Sequence, residues 1–405
     1  MVAPTNGPNG ELPYETPVKY MAPMPPDEYP NRVTRARKLM RERGMDSLIV
    51  TDAMHYSYYT GHKVASWMRS RPSIFVLPLD GAPALITWSG PEMFARLYNQ
   101  PFPSWVEDRR IYPEVPFNSE PRVDWGIADI LRERGLSSGT VGIELGRETW
   151  LGVAVADFEL LKEQLPTVRF VDSGPVVWGC RLIKSEWEVD CMRRACEIGG
   201  VAWRRAFEEL RPGVAAAAVQ KNVLGYYLEG GADLTSEPPT VLGATGPGRT
   251  FQNGDVLYID GGCNYSGYKM DFARRAVFGK PSARQQAEHD GMWGILNEII
   301  ERMKPGVSVR ELFEYSQSRL AQHPEWRNYS DHPSKRIGHG IGLENEPPSI
   351  SATDDTVLQV GMALTPEPKI ESVDGLLNPE EHVVIRAAGC EVLSAGSEWK
   401  LHVVA

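Results

Sequence analysis

Strands and amphipathic helices alternate through the first part of this chain, and after about residue 175 that alternation stops. The helical stretch DEYPNRVTRARKLMRERGM ends at Gly44 and leads into an apolar strand, DSLIVTD. SIFVLPLDGAPALITW reads as two strands around a turn at Asp80-Gly81. The amphipathic VDWGIADILRERGL, the strand TVGIEL, the helical ADFELLKEQLP and the strand VRFVD complete an α/β domain, expected over 27–175. GCRLIKSEWEVDCMRRACEIGGVAWRRAFEELRPGV then predicts one long helical stretch closed by a Pro-Gly stop. Further helices are expected in VQKNVLGYYLEGG, QAEHDGMWGILNEIIERMKPGV and SVRELFEYSQSRLAQ. DVLYIDGGCNYSGYKMDFARRAVFG and the tail from ALTPEPKI to EHVVIRAAGCEVLS are mostly strand. A second, α+β domain is therefore expected over 176–405, and 405 residues suit two domains. Residues 1–26, rich in Pro and Gly, are expected to form an extended arm.

A formal charge of −10 without a basic run excludes a phosphate-backbone binder and leaves acidic clusters free to hold cations. The five cysteines (Cys180, Cys191, Cys196, Cys263 and Cys390) are odd in number and scattered. They suggest neither a disulfide framework nor a zinc site, and a reducing cytoplasm is the expected home. No charged segment followed by an apolar core opens the chain, so no signal peptide is expected. No window approaches the apolar length of a membrane span.

Five side chains carry the candidate chemistry. Asp260 ends the apolar strand VLYID, and Asp271 follows in GYKMD. His339 lies in GHGIG, Glu367 in LTPEPKI and Glu380 in NPEEHVVI. Taken singly, each has an ordinary reading: a strand-end turn residue, a structural imidazole between glycines, a solvated loop carboxylate. Taken together they would repel one another unless cations met them. Four carboxylates and one imidazole suit Mn²⁺, Fe²⁺, Co²⁺ or Zn²⁺, and two such ions sharing bridging carboxylates can activate a water.

In their order along the chain, RLIKSEWEVDCMRRA, GDVLYIDGGCNYSGYKMDFARR, GHGIGL, GMALTPEP and the Glu-containing last strand resemble the pita-bread metallopeptidase superfamily: methionine aminopeptidase, aminopeptidase P, prolidase and creatinase. The resemblance covers roughly 180–395, and the earlier segment with HYSYYTGH resembles the smaller creatinase/prolidase-type domain. It implies a pita-bread catalytic domain with two divalent ions. Asp260 and Asp271 would chelate, His339 and Glu367 would bind one ion, and Asp271 and Glu380 would bridge. Glu381 is the alternative to Glu380, although period-2 alternation puts Glu380 and His382 on one face and Glu381 on the other. The resemblance also implies a homodimer whose neighbouring N-terminal domain helps close each site.

The chain departs from the peptidases at two histidines. Asn345 falls where a second imidazole follows the GHGIG segment, in a loop one residue shorter, and VLGATGPGRTFQNGD holds none upstream of Asp260. Losing such electrostatic help typically costs about 10²–10³ in rate, which puts ordinary peptide hydrolysis in doubt. His382 is a candidate replacement imidazole, the alternative being a surface residue on an edge strand. Glu367 or Glu346 could relay the proton. Arg274 could brace the carboxylates. His62, Trp67 and Arg71 are candidate substrate contacts, because Arg pairs with a carboxylate and Trp can wall a small pocket. The expected function is dinuclear-metal hydrolysis of an amide-type C–N bond in a small carboxylate-bearing molecule or short peptide. Two alternatives compete with it. One is a metal-dependent lyase like the superfamily's dimethylsulfoniopropionate lyases, and the other is an inactive binding protein on a peptidase fold.

Overall fold

The computed structural model describes residues 24–63, 71–113, 122–243, 249–328, 336–394 and 400–405. They fall into two units, Met24–Arg181 and Leu182–Ala405.

The first unit is a six-stranded mixed sheet. Its strands are β1 (Ser47–Val50), β2 (Ile74–Pro78), β3 (Ala84–Trp88), β4 (Asp108–Tyr112), β5 (Gly139–Ile143) and β6 (Val168–Asp172), in the order β4-β3-β2-β1-β5-β6. Its helices are α1 (Glu28–Glu42), α2 (Ala53–Thr60), α3 (Ser89–Leu97), α4 (Ile127–Glu133), α5 (Val155–Gln164) and α6 (Gly174–Leu182). The central strands are apolar because both faces are covered: β1 and β2 are buried along their whole length. The α/β expectation holds, but α2, α3 and β4 add to it. In α2 five of the eight residues are buried, which hides any helical stripe. The helix starts where Asp52 accepts from the amides of Met54 and His55 at 2.8 and 3.0 Å. It stops at Gly61, whose φ of +75° suits a residue without Cβ.

The expected long helix of the second unit is interrupted. α6 ends at Leu182, and α7 (Glu186–Glu208) begins afresh after Ser185, whose hydroxyl and backbone exchange hydrogen bonds with Glu188 in a capping box. α8 is Ala216–Glu229. Helices α7 and α8 pack on a sheet of β7 (Thr240–Leu242), β8 (Val256–Gly261), β11 (Phe272–Phe278) and β20 (His402–Val404). The short pair β9 (Asn264–Tyr265) and β10 (Tyr268–Lys269) lies between β8 and β11 in sequence. Helices α9 (Ala283–Arg302) and α10 (Val309–Leu320) share a second core with the other large sheet. That sheet is antiparallel, in the order β14 (Asn345–Ser351), β13 (Arg336–Ile341), β15 (Ala363–Pro366), β18 (Val383–Arg386) and β19 (Gly389–Val392). β12 (Arg327–Asn328), β16 (Ile370–Ser372) and β17 (Gly375–Leu377) form a small third sheet.

One isolated bridge, Ala273 to Glu380, ties the two large sheets together. Ala273 is itself the register partner of Asp260. Asp260, Ala273 and Glu380 therefore stand side by side across three chain segments. On the other sheet His339 is opposite Thr365, two residues before Glu367 and so on the same strand face. Among the described residues no helix is long and apolar enough to cross a membrane.

Candidate metal centre

Three of the five expected residues meet close to that bridge. One ligand-capable atom from each of Asp271, His339 and Glu380 lies within 4.8 Å of the other two. Asp260 and Glu367 border this triad, and their charges act on Asp271 and Glu380. Asp271 follows β10, and its amide donates to His382 Nδ1 at 3.4 Å.

His339 sits where the glycines on either side let strands close upon it. A Cβ at Gly338 would meet Thr365 O at 2.4 Å, and one at Gly340 would meet Pro347 O at 2.1 Å. His339 Nδ1 lies 2.9 Å from Gly340 O, which makes it the protonated nitrogen and leaves a lone pair on Nε2. That Nε2 is 3.7 Å from Asp271 Oδ2. Burial pushes the imidazole below its ordinary range, and the Glu367 charge offsets part of this.

Three of the carboxylates are held high. Burial raises the Asp260 carboxyl first and the Glu367 charge adds to it, while the Tyr258 hydroxyl, donating to Oδ2 at 2.7 Å, works the other way. Asp271 is raised well above the usual range by burial and then by the charges of Asp260 and Glu367. Glu380 is raised likewise by burial, then by Asp271, Glu367 and Asp260.

Glu380 and Glu381 separate sharply. Both oxygens of Glu380 are buried without a hydrogen-bond partner among the described residues. Glu381 points the other way: Arg274 Nη2 reaches its Oε1 at 3.0 Å, and the Ser394 hydroxyl donates to its Oε2. Arg274 also donates to the Glu380 carbonyl at 3.0 Å, so it braces the backbone under that carboxylate. A buried carboxylate with no donor is costly unless a cation meets it. An oxygen-rich set with one imidazole lone pair fits a divalent ion. A Glu381→Gln variant should accordingly keep metal-binding capacity while losing roughly 1–3 kcal/mol of stability through the Arg274 contact. Metal analysis beside a denaturation curve checks this, and loss of metal would reverse the assignment of the two glutamates.

The remaining candidates scatter. His382 is fully buried, not a surface residue, and burial with the nearby Lys184 and His339 charges holds it down at about 3. Its Nδ1 steadies the Asp271 backbone, and its Nε2 has no partner among the described residues. The Glu346 carboxylate is engaged: Lys184 Nζ lies 2.9 Å from Oε2, and the Leu343 amide donates to Oε1 at 3.1 Å. Glu367 Oε2 accepts from Asn378 Nδ2 at 3.0 Å. Asn345 is exposed, and its side-chain nitrogen lies 3.4 Å from His339 Nε2. His62 and Arg71 belong to the first unit and are both buried, His62 beside the Tyr56 hydroxyl at 3.0 Å. Trp67 lies outside the described residues. Sequence reading missed Lys184 and Lys369, which look like ordinary surface lysines in polar surroundings.

Metallopeptidase family M24 matches residues 190–391, and the creatinase/prolidase N-terminal domain matches residues 32–183. The chain belongs to the pita-bread metallopeptidase superfamily. Among its relatives in that superfamily, the ectoine hydrolase of Halomonas elongata is 26% identical over 93% of this chain and 98% of its own length. The Xaa-Pro dipeptidase of Pyrococcus horikoshii is 29% identical over 52% of this chain and 62% of its own length. Among solved structures, the prolidase from Thermococcus sibiricus superposes with a TM-score of 0.79 at 20% identity, over 95% of this chain and all of that one. A Bacillus anthracis Xaa-Pro dipeptidase gives 0.77 at 21% identity, over 93% and 100%. These structures share the two-domain pita-bread fold, and the named relatives are hydrolases.

Proposed function

We propose that the chain is a dinuclear-metal-dependent hydrolase of an amide-type C–N bond in a small carboxylate-bearing molecule or short peptide. The observation that carries this reading is the orphaned Glu380 carboxylate facing Asp271 and His339. Asp260, Asp271, His339, Glu367 and Glu380 would hold two divalent ions (Mn, Fe, Co or Zn). When bound, these would supply a water activated at neutral pH and polarise the scissile carbonyl. Glu367 is the proton relay: its Oε2 is held by Asn378, which leaves Oε1 to accept a proton. His382 and Arg274 are positioning residues, holding the backbone of Asp271 and Glu380. Similarity to an ectoine hydrolase along nearly the whole chain favours a small molecule over a long peptide. So does Asn345 in place of an imidazole. A homodimer in which His62, Trp67 and Arg71 of the N-terminal domain meet the substrate's carboxylate belongs to the same reading. A cytoplasmic home also belongs to it and rests on the odd number and scattered spacing of the five cysteines.

The test begins with the metal content of protein purified without added ions; about two equivalents are expected. Candidate cyclic amides and Xaa-Pro dipeptides are then turned over in ¹⁸O-labelled water. Hydrolysis places one label in the product acid. An unsaturated acid without label would mean elimination, and the lyase reading would replace this one. A protein that neither holds metal nor responds to any added ion would overturn the metal centre itself.

A further inference from the structure

Two donors converge on one oxygen of Glu367. Asn378 Nδ2 is 3.0 Å from Oε2, and Lys369 Nζ is 2.8 Å from the same atom. The Lys369 side chain is only 13% exposed and that of Glu367 only 6%, so this is not a solvated surface pair. The ammonium also acts on the rest of the cluster. Its charge opposes the upward push on the Asp260 and Glu380 carboxyls and bears on His339. A cation is thus built into the carboxylate set, on an atom of a residue that would bind an ion.

Charge counting gives the consequence. Four carboxylates meet the Lys369 ammonium, and the Lys269 charge acts on Asp271 as well. A first divalent ion, held by Asp260, Asp271 and Glu380, would leave four negative charges offset by its own two and that of Lys369. A second divalent ion must bind against that ammonium and draw Glu367 away from it. Building on the metal-centre reading above, we propose that Lys369 is a resident cation of the cluster that competes with the second divalent ion. Through it the chain stays stable with only one ion bound, and full loading requires Lys369 to release Glu367.

The test is titration of the metal-stripped full-length chain with Mn²⁺, free Mn²⁺ being followed by electron paramagnetic resonance. Lys369→Met should tighten the weaker equivalent by about tenfold or more and leave the tighter one within a few-fold. Lys369→Arg keeps the charge and should titrate like the parent. Thermal melting gives a second readout. Without metal, Lys369→Met should melt below the parent, and Mn²⁺ should raise its melting temperature by more. An unchanged weak equivalent in Lys369→Met, or equal Mn²⁺-induced shifts, would overturn the role of Lys369. Mn²⁺, Co²⁺ and Zn²⁺ all failing to bind the parent would instead overturn the metal centre on which it rests.

Discussion

Asp271→Ala should abolish retention of both ions and lower turnover by about 10³-fold or more. Asp271 sits between the other candidates: it is within 4.8 Å of ligand-capable atoms of His339 and Glu380, and the Asp260 carboxyl borders it. On the dinuclear reading proposed above Asp271 would be shared by both ions, so its loss would unmake both positions. The same geometry predicts the opposite effect on the metal-free fold. Burial and two neighbouring charges raise the Asp271 carboxyl, so in the absence of a cation its charged form works against folding. The metal-stripped variant should therefore melt at or above the metal-stripped parent, whereas the loaded parent should melt above both. Metal analysis, steady-state rates and melting curves with and without Mn²⁺ decide the matter. A variant that still carries two equivalents and turns over substrate would refute the shared-ligand assignment.

The sequence offered candidates for this site, not their meeting. Asp260 was legible as an acid at the end of an apolar strand, and Glu380 was separable from Glu381 by alternation. The contact that assembles them, the Ala273–Glu380 bridge, joins segments more than a hundred residues apart and leaves no local pattern. The same limit hid the lysines. Lys184 is buried by tertiary pairing with Glu346, Lys369 is half-buried beside Glu367, and a lysine's usual fate is exposure. In the fold, the alternating strands and helices of the first unit were legible because their apolar positions keep a period. Helix α3 was not, because Met93, Phe94 and Leu97 are 40%, 51% and 64% exposed, reversing the usual apolar-inside pattern. Ser185 and Glu188 did carry a capping-box signal that divides the long helical stretch, and apolar periodicity on both sides masked it.

Lys184→Met should be the most destabilising single change near the site. Lys184 Nζ and Glu346 Oε2 are 2.9 Å apart, and each side chain is 2% exposed. Removing one partner of such a pair leaves the other charge buried without its counter-ion, at about 3–5 kcal/mol. For a unit of this size that corresponds to a fall in melting temperature on the order of 6–20 °C. The pair also ties the segment before α7 to the strand pair that carries His339, since Glu346 is the register partner of Gly340. Metal affinity should fall with stability. The double variant Lys184→Met/Glu346→Gln removes both charges and keeps an acceptor for the Leu343 amide, so it should regain most of the lost stability. Its turnover separates two roles for Glu346. If the carboxylate serves to hold the loop beside His339, activity returns with stability. If it serves as a general base, stability returns while turnover stays lower by about 10²-fold or more, and proton relay then passes from Glu367 to Glu346. A single variant that melts within about 2 °C of the parent, less than 1 kcal/mol, would show that the buried pair does not hold this part of the fold.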